Sequence, residues 1–78
     1  MEYEYKVVYA TDVGQWEVQY GDQRVGYKPW DQRVALSYAK DLAKKHRPST
    51  ICVYDREGKA KKQIDYPEKG SAVATDLV

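Results

Sequence analysis

Read as apolar and polar positions, the chain changes period three times. Residues 3–10, YEYKVVYA, alternate, with Tyr3, Tyr5, Val7 and Tyr9 on one side and Glu4, Lys6, Val8 and Ala10 on the other. This period of two predicts a half-buried strand. Thr11-Asp12-Val13-Gly14 supplies a turn, with a glycine able to take positive φ. Residues 15–20, QWEVQY, alternate again: Trp16, Val18 and Tyr20 against Gln15, Glu17 and Gln19. Two such runs so close together predict an antiparallel hairpin. After Gly21-Asp22, residues 24–28 (RVGYK) predict a short third strand with Val25 and Tyr27 on one face, which Gly26 weakens and Pro29 ends.

The period then lengthens. In Asp31 to Arg47, DQRVALSYAKDLAKKHR, the residues Ala35, Leu36, Ala39, Leu42 and Ala43 recur at helical spacing and form one apolar stripe. Asp31 is a suitable N-cap, and Trp30 is placed to staple back onto Val34 or Ala35. Gln32, Arg33, Ser37, Lys40, Asp41, Lys44 and Lys45 occupy the outer face. Lys44, Lys45, His46 and Arg47 crowd the last turn, where cations complement the helix dipole, and Pro48 stops the helix.

Alternation returns in residues 49–54, STICVY, with Ile51 and Val53 toward the helix and Cys52 and Tyr54 away from it. Asp55-Arg56-Glu57-Gly58 reads as a hairpin loop. Residues 59–66, KAKKQIDY, form a fifth strand. Ala60, Lys62, Ile64 and Tyr66 share one face, Lys59, Lys61, Gln63 and Asp65 the other, and the lysines suit an exposed edge. Pro67 ends it. Residues 67–78, PEKGSAVATDLV, show no period, so they are expected to be a flexible C-terminal tail, with Val73 and Leu77 as the residues able to dock. The prediction is one α+β domain over 1–66, order β-β-β-α-β-β, a mostly antiparallel sheet with one helix packed on one face.

Three segments carry a resemblance: Gly14-x-Trp16-x-Val18, Ala35-x-x-x-Ala39-x-x-Leu42-Ala43 and Ile51-x-Val53-Tyr54-Asp55-x-x-Gly58. Together they resemble a family of small bacterial proteins catalogued as domain of unknown function 2188, over roughly residues 5–66. The resemblance implies a compact αβ domain. It brings no activity, cofactor or catalytic residue.

Composition narrows the function classes. A chain of 78 residues is one domain, with a stability margin on the order of 3–5 kcal/mol. No apolar run reaches the ~20 residues of a membrane helix. MEYEYKVV lacks the basic flank and apolar core of a signal peptide. The single Cys52 rules out an internal disulfide and fits a reducing, cytoplasmic setting. One His and one Cys without a carboxylate cluster build no structural zinc site, so no metal or cofactor is expected. A Cys52–His46 nucleophilic pair would need a strand thiol beside a helix-end imidazole. The carboxylates are scattered, and there is no phosphate-binding glycine loop. The chain is therefore expected not to be an enzyme.

Net charge is +1, unevenly spread: residues 1–31 carry six acids against three bases, residues 32–66 nine bases against four acids. Eight Tyr and two Trp stand against no Phe, which suits half-buried faces and interfaces. The expected function is binding, most simply of a protein, in an adaptor or inhibitor role, through an aromatic and basic surface. The residues expected to carry it are Lys44, Lys45, Arg47, Tyr54, Arg56, Lys59, Lys61 and Lys62. Trp16, Trp30 and Tyr27 are candidate anchors, Trp16 and Trp30 being better suited to the core. A homodimer through an edge strand is compatible with this. The alternative is a nucleic-acid-binding domain. In it the helix end and last hairpin clamp phosphates together while Tyr54, Tyr3 or Tyr5 stack bases.

Overall fold

Two antiparallel halves joined by one helix make the sheet. The computed structural model describes residues 3–21, 23–25 and 31–77. The first half is β1 (Tyr3–Ala10), β2 (Gln15–Tyr20) and β3 (Gln23–Arg24). Helix α1 (Gln32–Lys45) follows, and then β4 (Ser49–Tyr54), β5 (Ala60–Tyr66) and β6 (Val73–Asp76). The strand order is β3-β2-β1-β4-β5-β6, antiparallel throughout except for the central pair β1 and β4. Short turns can only return a strand antiparallel to its neighbour. The helical crossover is what makes the middle pair parallel.

Local chemistry sets each boundary. Gly14 takes φ 67° and donates its N–H to Ala10 O at 2.8 Å, closing the first hairpin. The Asp31 carboxylate accepts the Val34 N–H at 2.8 Å, capping α1. At the other end the hydroxyl of Ser49, itself 2% exposed, donates to Ala43 O at 2.8 Å. That carbonyl is one of the orphan acceptors of the last turn.

Register puts Tyr5, Val7, Trp16, Val18, Ile51, Val53, Ile64 and Tyr66 on one side, and all are buried. Ala35, Ala39 and Ala43 of α1 face them with no exposed surface, so the helix backbone lies close to the sheet. Leu36 and Leu42 pack at the margins of this core. Burial of each large aliphatic side chain contributes about 1.5–3 kcal/mol. α1 lies chiefly over β2, β1 and β4, leaving β5 and β6 beside it.

Two expectations are corrected. Residues 67–78 are not wholly a tail: Val73–Asp76 pair with β5 as a sixth strand. Arg47 secures the approach, its Nη1 donating to Pro67 O at 3.2 Å and Gly70 O at 2.7 Å while its guanidinium lies 5.5 Å from the centre of the Tyr66 ring. It follows that β5 is an interior strand, not the edge its lysines suggest. The third strand is Gln23–Arg24, with Val25 half-buried against the core, and residues 26–30, including Tyr27 and Trp30, lie outside the described residues.

Candidate functional site

The hairpin between β4 and β5 organises one end of the molecule. Asp55 Oδ1 accepts the N–H groups of Glu57 and Lys59, each at 2.9 Å, and Gly58 takes φ 86°. These bonds, first that from Lys59, hold the Asp55 carboxyl below its ordinary range. The register then slips: Val53 pairs with Lys62 but Tyr54 pairs with Ala60. Lys61 is the extra residue of a β-bulge, which breaks the alternation of the strand. As a result Lys61 and Lys62 line the same groove, where strict alternation would put them on opposite faces.

That groove runs on the helix side of the sheet, between the first turns of α1 and the outer strands. Its volume is about 450 Å³. Leu36 and Val53 form an apolar floor, Arg33, Lys61 and Lys62 a cationic rim, and Gln32 and Asp76 its ends. Lys61 Nζ stands 3.8 Å from Asp55 Oδ2, a loose pair. Arg33 and Lys62 make no ion pair among the described residues.

The other sheet face carries no helix. At the same end it holds a shallower concavity of about 390 Å³, with Lys6, Val8, Gln19 and Tyr54 in it and Tyr9 and Arg56 at its rim. The Arg56 guanidinium covers the Tyr9 ring at 4.8 Å. A hydrogen bond with Cys52, and after it burial, raise the Tyr54 phenol above its ordinary value, so it stays neutral.

Further along this face Glu17 is 1% exposed, although it points away from the helix. Its Oε2 accepts from Gln19 Nε2 at 2.7 Å and from Arg24 Nε at 3.1 Å. Arg24 Nε also lies 2.9 Å from Oε1, which accepts no hydrogen bond of adequate geometry. Arg24 reaches on to Asp12 at 3.0 Å, and that bond lowers the Asp12 carboxyl. Sequence reading missed this network. The signal was the short connection between Tyr20 and Gln23, which sets Arg24 opposite Gln19 and diagonal to Glu17.

The residues predicted to bind do not converge. Ser49 meets Ala43 at one end of the sheet and Gln32 Nε2 donates to Tyr54 O at the other. The 14 residues of α1 therefore separate Lys44, Lys45 and Arg47 from Arg56, Lys59, Lys61 and Lys62, by about 20 Å at ~1.5 Å per residue. Helix end and last hairpin form no common clamp. Arg47 is engaged by the 67–70 connection, whereas Lys44 and Lys45 are exposed. Tyr5 is buried under the helix and so offers no stacking surface; burial, then the nearby Tyr20, raises its phenol. Tyr3 lies 5.7 Å from Tyr20 and 5.1 Å from His46, ring centre to ring centre, on the helix side. Cys52 lies on the open face. Trp16 is core, packed edge-on against Tyr9.

Among the described residues no group of three or more His, Cys, Asp or Glu side chains could hold a metal ion. No helix among them is long and apolar enough to cross a membrane. No curated protein and no solved structure matches the chain. A family model does match, over residues 5–66, and it runs from within β1 to the end of β5 with the hairpin, the bulge and most of the groove. The chain accordingly belongs to the family described as an uncharacterized protein conserved in bacteria, DUF2188.

Proposed function

We propose that this chain is a small non-enzymatic protein-binding module, of adaptor or inhibitor type, and that the groove beside α1 receives an acidic segment of its partner. The observation that carries the reading is the bulge after Val53, which brings Lys61 and Lys62 to one groove with Arg33 around Leu36 and Val53. A cationic rim around an apolar floor suits carboxylates flanking an aliphatic side chain: the apolar contact supplies affinity and the charges supply orientation and association rate. Phosphate binding would use the same cations. The separation of the two basic groups and the cover of Arg56 over Tyr9 weigh against it.

The test is fluorescence anisotropy of a short labelled peptide in which glutamates flank a leucine pair. Labelled single-stranded and duplex DNA are titrated in parallel, at about 50 and 200 mM salt. The groove reading expects peptide binding that Lys61→Glu/Lys62→Glu weakens roughly tenfold or more, equivalent to ~1.4 kcal/mol, and that Lys44→Glu/Lys45→Glu leaves unchanged. DNA binding that falls steeply with salt, with no peptide binding, would overturn it in favour of a nucleic-acid module.

A further inference from the structure

The outer edge of β6 is unlike the edge at the other end of the sheet. The far edge is β3, only two residues long, and short edges resist further pairing. In contrast, β6 has four residues, all exposed, with Asp76 as its one charged side chain and no lysine, proline or bulge. Two of the large apolar side chains left in solvent, Val73 (57%) and Leu77 (45%), stand at its two ends.

Its backbone polarity is defined. Leu77 N–H donates to Lys61 O at 3.0 Å. By the alternation of an antiparallel ladder, Val73, Thr75 and Leu77 turn their N–H and C=O groups toward β5, and Ala74 and Asp76 turn theirs outward. The side chains of Val73, Thr75 and Leu77 share the open face with Asp65 and Gln63, and those of Ala74 and Asp76 share the helix side.

We propose that two copies of this chain pair antiparallel through β6, about a two-fold axis at Thr75, to make one continuous sheet. In that register Ala74 of one copy and Asp76 of the other exchange both N–H···O=C bonds, using the groups that face outward. Val73 of each copy lies across from Leu77 of the other, so the exposed apolar pair covers itself. The two Thr75 side chains meet on the axis, a favourable cross-strand pair. Sliding by two residues one way sets Asp76 against Asp76, and like charges directly opposite destabilise. Sliding the other way sets Val73 against Thr75 and leaves Leu77 without a partner. Sliding by one residue puts open-face positions across from helix-side positions and loses the match. The edge is therefore complementary to itself in one register. Its short length makes a small interface, below about 1,200 Å², of the size class of weak and transient contacts. Asp76 also stands at one end of the groove, but cross-linking and sedimentation use no peptide and leave Arg33, Lys61 and Lys62 in place, so their failure is distinguishable from failure of the groove reading.

The experiment is cysteine cross-linking with sedimentation, on the full chain carrying Cys52→Ser to remove the native thiol. With Thr75→Cys added, mild oxidation should give a covalent dimer, because non-hydrogen-bonded partners bring their Cα atoms to ~4.5 Å. With Asp76→Cys added it should give little, because those positions are diagonal across the axis and beyond the ~7 Å a disulfide can span. Sedimentation equilibrium of the unmodified chain should show dimer rising toward ~1 mM. Ala74→Pro should abolish that dimer with an unchanged circular dichroism spectrum, since it removes an outward N–H and leaves the β5 ladder intact. A monomer at all concentrations, or equal cross-linking by both cysteine variants, would overturn the proposal.

Discussion

Removing the Ser49 hydroxyl should destabilise the whole domain. Ser49 sits just past Pro48, 2% exposed, and donates to the carbonyl of Ala43, which has no exposed surface. Ser49→Ala leaves that carbonyl buried without its donor. The cost of a buried unsatisfied group is about 1–3 kcal/mol. Against a total on the order of 3–5 kcal/mol for a core of this size, that is a large share. At about 4–8 °C per kcal/mol for a domain of 60–100 residues, Tm should fall by roughly 5–20 °C. Thr50→Ala is the control. Its hydroxyl bonds Asp65 Oδ1 at 3.1 Å on the open face, where water can replace it, so it should cost less than half as much. Urea unfolding followed by tryptophan fluorescence reads both. A Ser49→Ala variant within about 0.5 kcal/mol of the parent, the range of ordinary surface substitutions, would refute the claim that this bond closes the helix onto the sheet.

Other predictions follow from the remaining networks. Arg24→Ala should lower Tm by stranding the buried Glu17, and adding Glu17→Gln should restore part of the loss. A double variant no more stable than Arg24→Ala would contradict this account. Arg47→Ala should speed hydrogen exchange at the Val73 and Thr75 amides while leaving β1 and β4 protected, because Arg47 holds Pro67 and Gly70. In acid, Asp12 and Asp55 have folded values below the ordinary 3.8, so their contribution is present above that value. It is lost as pH falls through the folded values, and Asp12→Asn/Asp55→Asn should flatten that limb of a pH–stability curve. In base the sign reverses. Tyr5, Tyr54 and Tyr66 are raised above the ordinary 10.0, so stability is full below it and lost as pH rises through the folded values. Tyr5→Phe should shrink this alkaline limb.

The helix was legible because its signals agree: an alanine and leucine stripe, a capping aspartate and a closing proline all point to one element. The first two strands and the β4–β5 hairpin were legible for the same reason. The sixth strand was not, because VATD has no strong alternation and is held by tertiary contacts, the β5 ladder and the Arg47 anchor on Pro67 and Gly70. The groove was hidden by the bulge after Val53, one residue that reverses the facing of Lys61. Composition marked residues 32–66 as basic, but only three dimensions show that α1 holds the two basic groups apart.

The proposal that the groove beside α1 receives an acidic segment is tested most directly by a residue-resolved map. Amide and side-chain NMR shifts should be followed as the acidic peptide is added. The account predicts shifts concentrated at Arg33, Leu36, Val53, Lys61 and Lys62, with Lys44, Lys45 and Lys6 unmoved. Shifts centred on Lys44 and Lys45, or on the open face around Lys6 and Tyr54, would contradict it.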